Sequence, residues 1–63
     1  MRAILEQRRG KRVYVFTTFG AVYAAVVEMV NNDLVQLRGA DGRQRFVNLA
    51  DVSSVRDYDD EDR

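Results

Sequence analysis

The densest chemistry in the sequence lies in "RRGKR", where Arg8, Arg9, Lys11 and Arg12 place four cations in five positions. Cations at that spacing suit a polyanion, because each can neutralise one phosphate and release its counterion. They also suit a plainer role, closing the end of a helix whose macrodipole favours positive charge there. A second group consists of amides: Asn31 and Asn32 in "VNNDL" and Asn48 in "FVNLA". An amide side chain carries donors and an acceptor, so it can read a base edge or a sugar hydroxyl. Asn and Asp serve equally well as turn residues, since they tolerate left-handed backbone and bond locally to it.

Other chemistry is excluded more easily. The chain has no histidine and no cysteine, which removes imidazole acid–base work, thiolate nucleophiles, disulfides and the usual N/S zinc sites. Ser53 and Ser54 are adjacent, with no histidine or lysine base in any motif beside them, and no glycine-rich phosphate loop is present. The acids Asp57, Asp59, Asp60, Glu61 and Asp62 lack the glycine and the spaced oxygen ligands of a calcium loop. The expectation is a protein that is not an enzyme and carries no metal and no cofactor.

The 63 residues balance to zero net charge, but the layout is uneven. Residues 1–12 hold Arg2, Arg8, Arg9, Lys11 and Arg12 against Glu6, whereas residues 56–63 hold five acids against two arginines. A basic start and an acidic end imply a polyanion-facing patch and a solvated or competing tail. "MRAILEQRRGKR" contains no unbroken apolar stretch of signal-peptide type, and "AVYAAVV" is far too short to span a bilayer. A cytoplasmic protein without a membrane partner is expected.

These groups need elements to position them. "RAILEQRR" reads as a helix of about two turns, ended by Gly10 in a left-handed conformation, with Ile4 and Leu5 resting on an open side of a sheet. The period then changes to two: "RVYVFTT" sets Val13, Val15 and Thr17 against Tyr14, Phe16 and Thr18. A turn at Phe19–Gly20 leads into "AVYAAVVEMV", apolar on both faces, whose small Ala24 and Ala25 suit a sharp bend. "NND" forms the next turn, "LVQLR" a third strand, and Asp41–Gly42 a hairpin turn. "QRFVNL" is the fourth strand, "AD" a corner and "VSSV" the fifth. The fold class is therefore mainly β: a short N-terminal helix followed by a five-stranded, strongly bent antiparallel small barrel. Residues 1–56 form the domain, and residues 57–63 an acidic, disordered tail.

The order helix, "GKRVYVFTTFG", bent strand, "NND", "LVQL", "DG", "FVNLADVSSV" resembles the Sm-like superfamily, and within it the bacterial Hfq family. Gly20, Ala25 and Val27 match the family's turn glycine, small residue and apolar residue. Asn31 and Leu34 match its Asp and the apolar entry to strand three, and Val47–Val55 matches its closing segment. "RRGKRV" is similar to the arginine-rich helix-to-strand junction of Hfq. Where the family holds a nucleotide with an Asn, an Arg and a stacking ring, this chain has Val35, Asn48 and Asp33. Leu49 and Ala50 stand at the Lys-His pair of Hfq.

The resemblance implies a cyclic homo-oligomer of five to seven copies, the fourth strand of one copy pairing with the fifth of the next. Val52 and Val55 would be buried at those joints together with Tyr14 and Phe16, whose alternation points them away from the inner face; the alternative for these two rings is stacking on bases. It also implies non-catalytic binding of single-stranded RNA, in a riboregulatory or chaperone-like role, through Arg8, Arg9, Lys11, Arg12, Asn31, Asn32 and Asn48. The alternative is a structural or protein-interaction ring that has lost the nucleotide pocket.

Overall fold

In a computed structural model, which describes residues 1–58, the alternation of "RVYVFT" becomes β1, Arg12–Thr17. Val13, Val15 and Thr17 are buried, while Tyr14 and Phe16 are half-buried on the opposite face. Thr17 is the one polar member of this buried row, and its hydroxyl is satisfied locally. It donates to the Ala21 carbonyl and accepts from the Ala21 N–H, both at 2.9 Å, so the burial carries no orphaned polar atom. Preceding β1 is α1, Arg2–Gln7. The remaining strands are β2, Val22–Val30; β3, Leu34–Gly39; β4, Gln44–Asn48; and β5, Val52–Asp57, entered through a 3-10 turn at Leu49–Asp51.

The five strands form one antiparallel sheet in the order β4-β3-β2-β1-β5. Its two edges are thus the strands expected to join copies. Leu5, Val13, Val15, Ala25, Val27, Val35, Leu37, Val47 and Val52 make the core, with Tyr23, Val30, Leu49 and Val55 packed against it. The curl of the sheet is tied by backbone bonds at the turns. Leu49 N–H donates to the Asp33 carbonyl, and Thr18 N–H to the Asp51 carbonyl, each at 2.8 Å.

Four expectations change in detail. The pairing of β2 shifts register between Val27 and Met29, which places a bulge at Glu28, whereas Ala24 and Ala25 pair with β1 in unbroken register. An extra residue on one strand both bends and twists it; Ala24 and Ala25 merely alternate outward and inward. Only Leu5 of the helical pair is fully buried, while Ile4 stays 42% exposed, because a six-residue helix presents a single narrow stripe. Val52 belongs to the protomer's own core. Finally, β5 runs through Asp57, one residue into the segment expected as tail; residues 59–63 lie outside the described residues.

Candidate nucleic-acid interface

The cationic junction is built by the way α1 stops. The Arg8 N–H still donates to the Leu5 carbonyl at 3.0 Å, and Lys11 N–H donates to the Arg8 carbonyl at 2.9 Å. Gly10 between them takes φ +81, a left-handed conformation that costs a residue with a Cβ about 1–2 kcal/mol. Its N–H donates to the Val27 carbonyl at 2.7 Å, and Val27 N–H donates to the Lys11 carbonyl at 3.1 Å. The junction is therefore laced to β2 beside the Glu28 bulge, which holds four cations on a short, fixed loop.

Their surroundings differ. Arg8 donates from Nε to Asp57 Oδ1 at 2.7 Å and from Nη1 to the Ile4 carbonyl at 3.3 Å. Arg9 reaches Glu6 only at 4.0 Å. The Arg12 guanidinium sits 5.4 Å from the centre of the Tyr58 ring. Lys11 is exposed and has no ion-pair partner among the described residues. An open depression at this junction is lined by Gly10, Lys11, Arg12, Val26, Asp57 and Tyr58.

The amides lie at the other end of α1, about 9 Å along its axis at 1.5 Å per residue. Arg2 Nη1 donates to Asn32 Oδ1 at 3.0 Å, and Asn31 N–H closes the turn onto the Leu34 carbonyl at 2.8 Å. Asn32 and Asn48 share a depression with Asp33, Leu49, Ala50 and Asp51. Asn31 instead lines a neighbouring depression with Arg2 and Leu34. Asp33 is exposed beside Asn48, and Asp51 Oδ1 accepts weakly from the Thr18 hydroxyl at 3.4 Å. Two carboxylates at this depression oppose a phosphate. Val35 is fully buried in the core, so it contributes nothing to either surface.

A third polar group forms on β2, β3 and β4. Glu28 accepts from Arg38, from Gln36 at 3.0 Å and from Gln44 at 3.2 Å. The Arg38 hydrogen bond, helped by the two amides, holds the Glu28 carboxyl below the ordinary value of 4.5. The bulge turns Glu28 to this face. Its work is to neutralise Arg38, which leaves the junction as the main unpaired positive surface among the described residues.

Sequence reading overlooked Asp57 and Tyr58 as structural partners of the junction. The signal was available: the alternation of "VSSVRDY" continues to residue 58, setting Ser54, Arg56 and Tyr58 on one side and Val55 and Asp57 on the other.

No family model and no curated protein matches the sequence. The structure is similar to one described as "1.55 A Crystal structure of the pleiotropic translational regulator, Hfq", at 23% identity over 87% of this chain and 85% of that chain, with a TM-score of 0.77. The expected resemblance is thereby met at the level of the fold: a short helix followed by five antiparallel strands in a bent sheet, the Sm-like fold. Among the described residues, no helix is long and apolar enough to cross a membrane.

Proposed function

We propose that the protein is a non-catalytic, cytoplasmic single-stranded RNA-binding protein that acts as a cyclic homo-oligomer of five to seven copies. The observation that carries this reading is the laced junction, which fixes Arg9, Lys11 and Arg12 beside a sheet with the fold of a translational regulator. In each protomer β4 and β5 are the sheet's edge strands. Unmatched edges invite pairing with other chains, and a head-to-tail contact that closes yields a ring. Repetition around such a ring turns one small cationic loop into a continuous positive belt.

In this reading Arg9, Lys11 and Arg12 take phosphates directly, and Arg8 joins them when Asp57 releases it. Asn32 and Asn48 offer donors and acceptors to a base edge, with Asn31 holding the turn that presents Asn32. The alternative, a protein-interaction ring without a nucleotide site, is favoured by Asp33 and Asp51 at the amide depression and by the burial of Val35.

Native mass spectrometry with and without RNA reads both halves of the proposal. Closed rings that gain mass with U-rich or A-rich oligonucleotides support it; a lone protomer at micromolar concentration sinks the ring. Polarisation titrations at two salt concentrations separate the functions. Binding that weakens steeply with salt and is reduced by R9A/K11A at unchanged oligomer size fits RNA, whereas no binding at low salt leaves the protein-interaction ring.

A further inference from the structure

The outward face of β1 and β5 carries an arrangement that charge neutralisation alone does not explain. In the β1–β5 register Val13 lies opposite Asp57 and Tyr14 opposite Arg56. The chain stays in step beyond β5, since Tyr58 N–H donates to the Arg12 carbonyl at 3.2 Å. Side chains alternate across a strand, so Arg12, Tyr14, Arg56 and Tyr58 share one face, while Val13 and Asp57 take the other. Diagonal neighbours on a face are within reach of large rings. The Tyr14 and Tyr58 centroids accordingly lie 5.1 Å apart with 41° between the ring planes. Arg12 lies 5.4 Å from the centre of the Tyr58 ring.

Two further features keep this surface open and, among the described residues, positive. Across β2 the neighbour of Tyr14 is Ala24, which is exposed and too small to cover the ring. Asp57 is the only acid in Val52–Tyr58; it borders the depression of Lys11, Arg12 and Tyr58, but its carboxylate is held by Arg8 at 2.7 Å. Arg12 and Arg56 are therefore exposed beside the rings, with no ion-pair partner among the described residues. Two tyrosines that only sealed one another would need no such flanking charge.

We infer that Tyr14, Tyr58 and Arg12 form a stacking platform for unpaired bases of single-stranded RNA, with Arg56 and Lys11 taking the flanking phosphates. The inference rests on the RNA-binding reading and adds a base-contacting surface separate from the Asn32–Asn48 depression. Rings and guanidinium planes stack on any base, so the platform contributes affinity with little sequence preference. It also gives the end of β5 a purpose: the strand's last turns of alternation deliver Tyr58 to one face and the Asp57 tether to the other.

The test uses the full chain. Its tyrosines are Tyr14, Tyr23 and Tyr58, and it has no tryptophan, so in a Y23F background ultraviolet-excited emission comes from the platform alone. Two probes are titrated, an A-rich oligoribonucleotide and inorganic polyphosphate, which carries charge without bases. The expected result is quenching by RNA and not by polyphosphate. Y58L then weakens RNA binding about tenfold and leaves polyphosphate binding unchanged, while Y58F retains RNA binding. RNA binding with unquenched tyrosine and no effect of Y58L overturns the platform and spares the RNA-binding reading. Equal losses for RNA and polyphosphate in Y58L make the tyrosine merely structural and overturn the platform too. Failure of the parent chain to bind RNA at low salt overturns both.

Discussion

Asp57→Asn should make the protein slightly less stable and a better RNA binder, two effects of opposite sign from one atom. The Arg8–Asp57 pair is only partly shielded, with side chains 29% and 64% exposed. Exposed pairs of this kind contribute at most about 1 kcal/mol, which for a domain of this size is a drop in Tm of about 4–8 °C or less. The gain on the RNA side follows from counterion release. Each added contact to a single strand changes log K by about 0.7 per tenfold change in salt, so freeing Arg8 for one phosphate is worth about eightfold in affinity at ~50 mM salt and about fourfold at ~150 mM. Polarisation titrations at those two concentrations, beside thermal melts, read both numbers. Weaker or unchanged RNA binding at low salt would refute the view that Asp57 holds Arg8 back. A gain that is the same at both salt concentrations would mean that the substitution acts through shape and not through charge.

Leu5→Ala should cost about 3 kcal/mol, since a fully buried leucine leaves a cavity under α1, whereas Ile4→Ala should cost less than about 0.5 kcal/mol at its exposed position; urea midpoints of the two variants check the contrast. Gly10→Ala meets no atom within 4 Å of the added Cβ, so its cost, about 1 kcal/mol, is backbone strain alone, and Gly10→Asn should lose less in the same melts. Glu28 has a lowered folded-state pKa, so its contribution to stability is present above the ordinary value of 4.5 and disappears as pH falls through the lower folded value. Glu28→Gln should therefore be less stable than the parent at neutral pH and converge with it in acid. A difference that is constant across the acid range would exclude this linkage.

The fold was legible because each element announces itself in period and punctuation. The change from helical spacing in "RAILEQRR" to alternation in "RVYVFTT" places the α1–β1 boundary, and Gly10 marks it with the backbone freedom the turn requires. Asp41–Gly42 likewise marks the β3–β4 hairpin, with Gly42 at φ +82. The bend was harder to read, because a bulge is a property of two strands in register. Glu28 gives no sign of it until the consecutive Leu37 and Gln36 of β3 are seen to pair with Val27 and Met29, leaving Glu28 unpaired between them. The candidate site divides in the same way. The four cations are visible as a run, but which of them is free depends on Asp57 arriving from 49 residues away. No local pattern carries that pairing; it follows from β5 lying against β1.

The two candidate surfaces respond in opposite ways to assembly. Around the Asn32–Asn48 depression the nearby charges are Asp33 and Asp51, with Arg2 bound to Asn32, so each copy arranged about a common axis would add two carboxylates against one guanidinium. Like charges within a Debye length of about 10 Å reinforce one another, so that surface becomes less hospitable to phosphate as copies accumulate. At the junction the sign is reversed among the described residues: each copy brings Arg9, Lys11 and Arg12, with Glu6 and Asp57 offsetting only part of the charge. Arg56 and the tyrosine pair extend the same positive side along β1 and β5. In the proposed ring a polyanion would be drawn to the belt of junctions and tyrosine faces, and the amide depressions would serve neutral base edges once the strand had been captured there. That proposed arrangement would assign affinity to residues 8–14 and 56–58, and selectivity to Asn32 and Asn48.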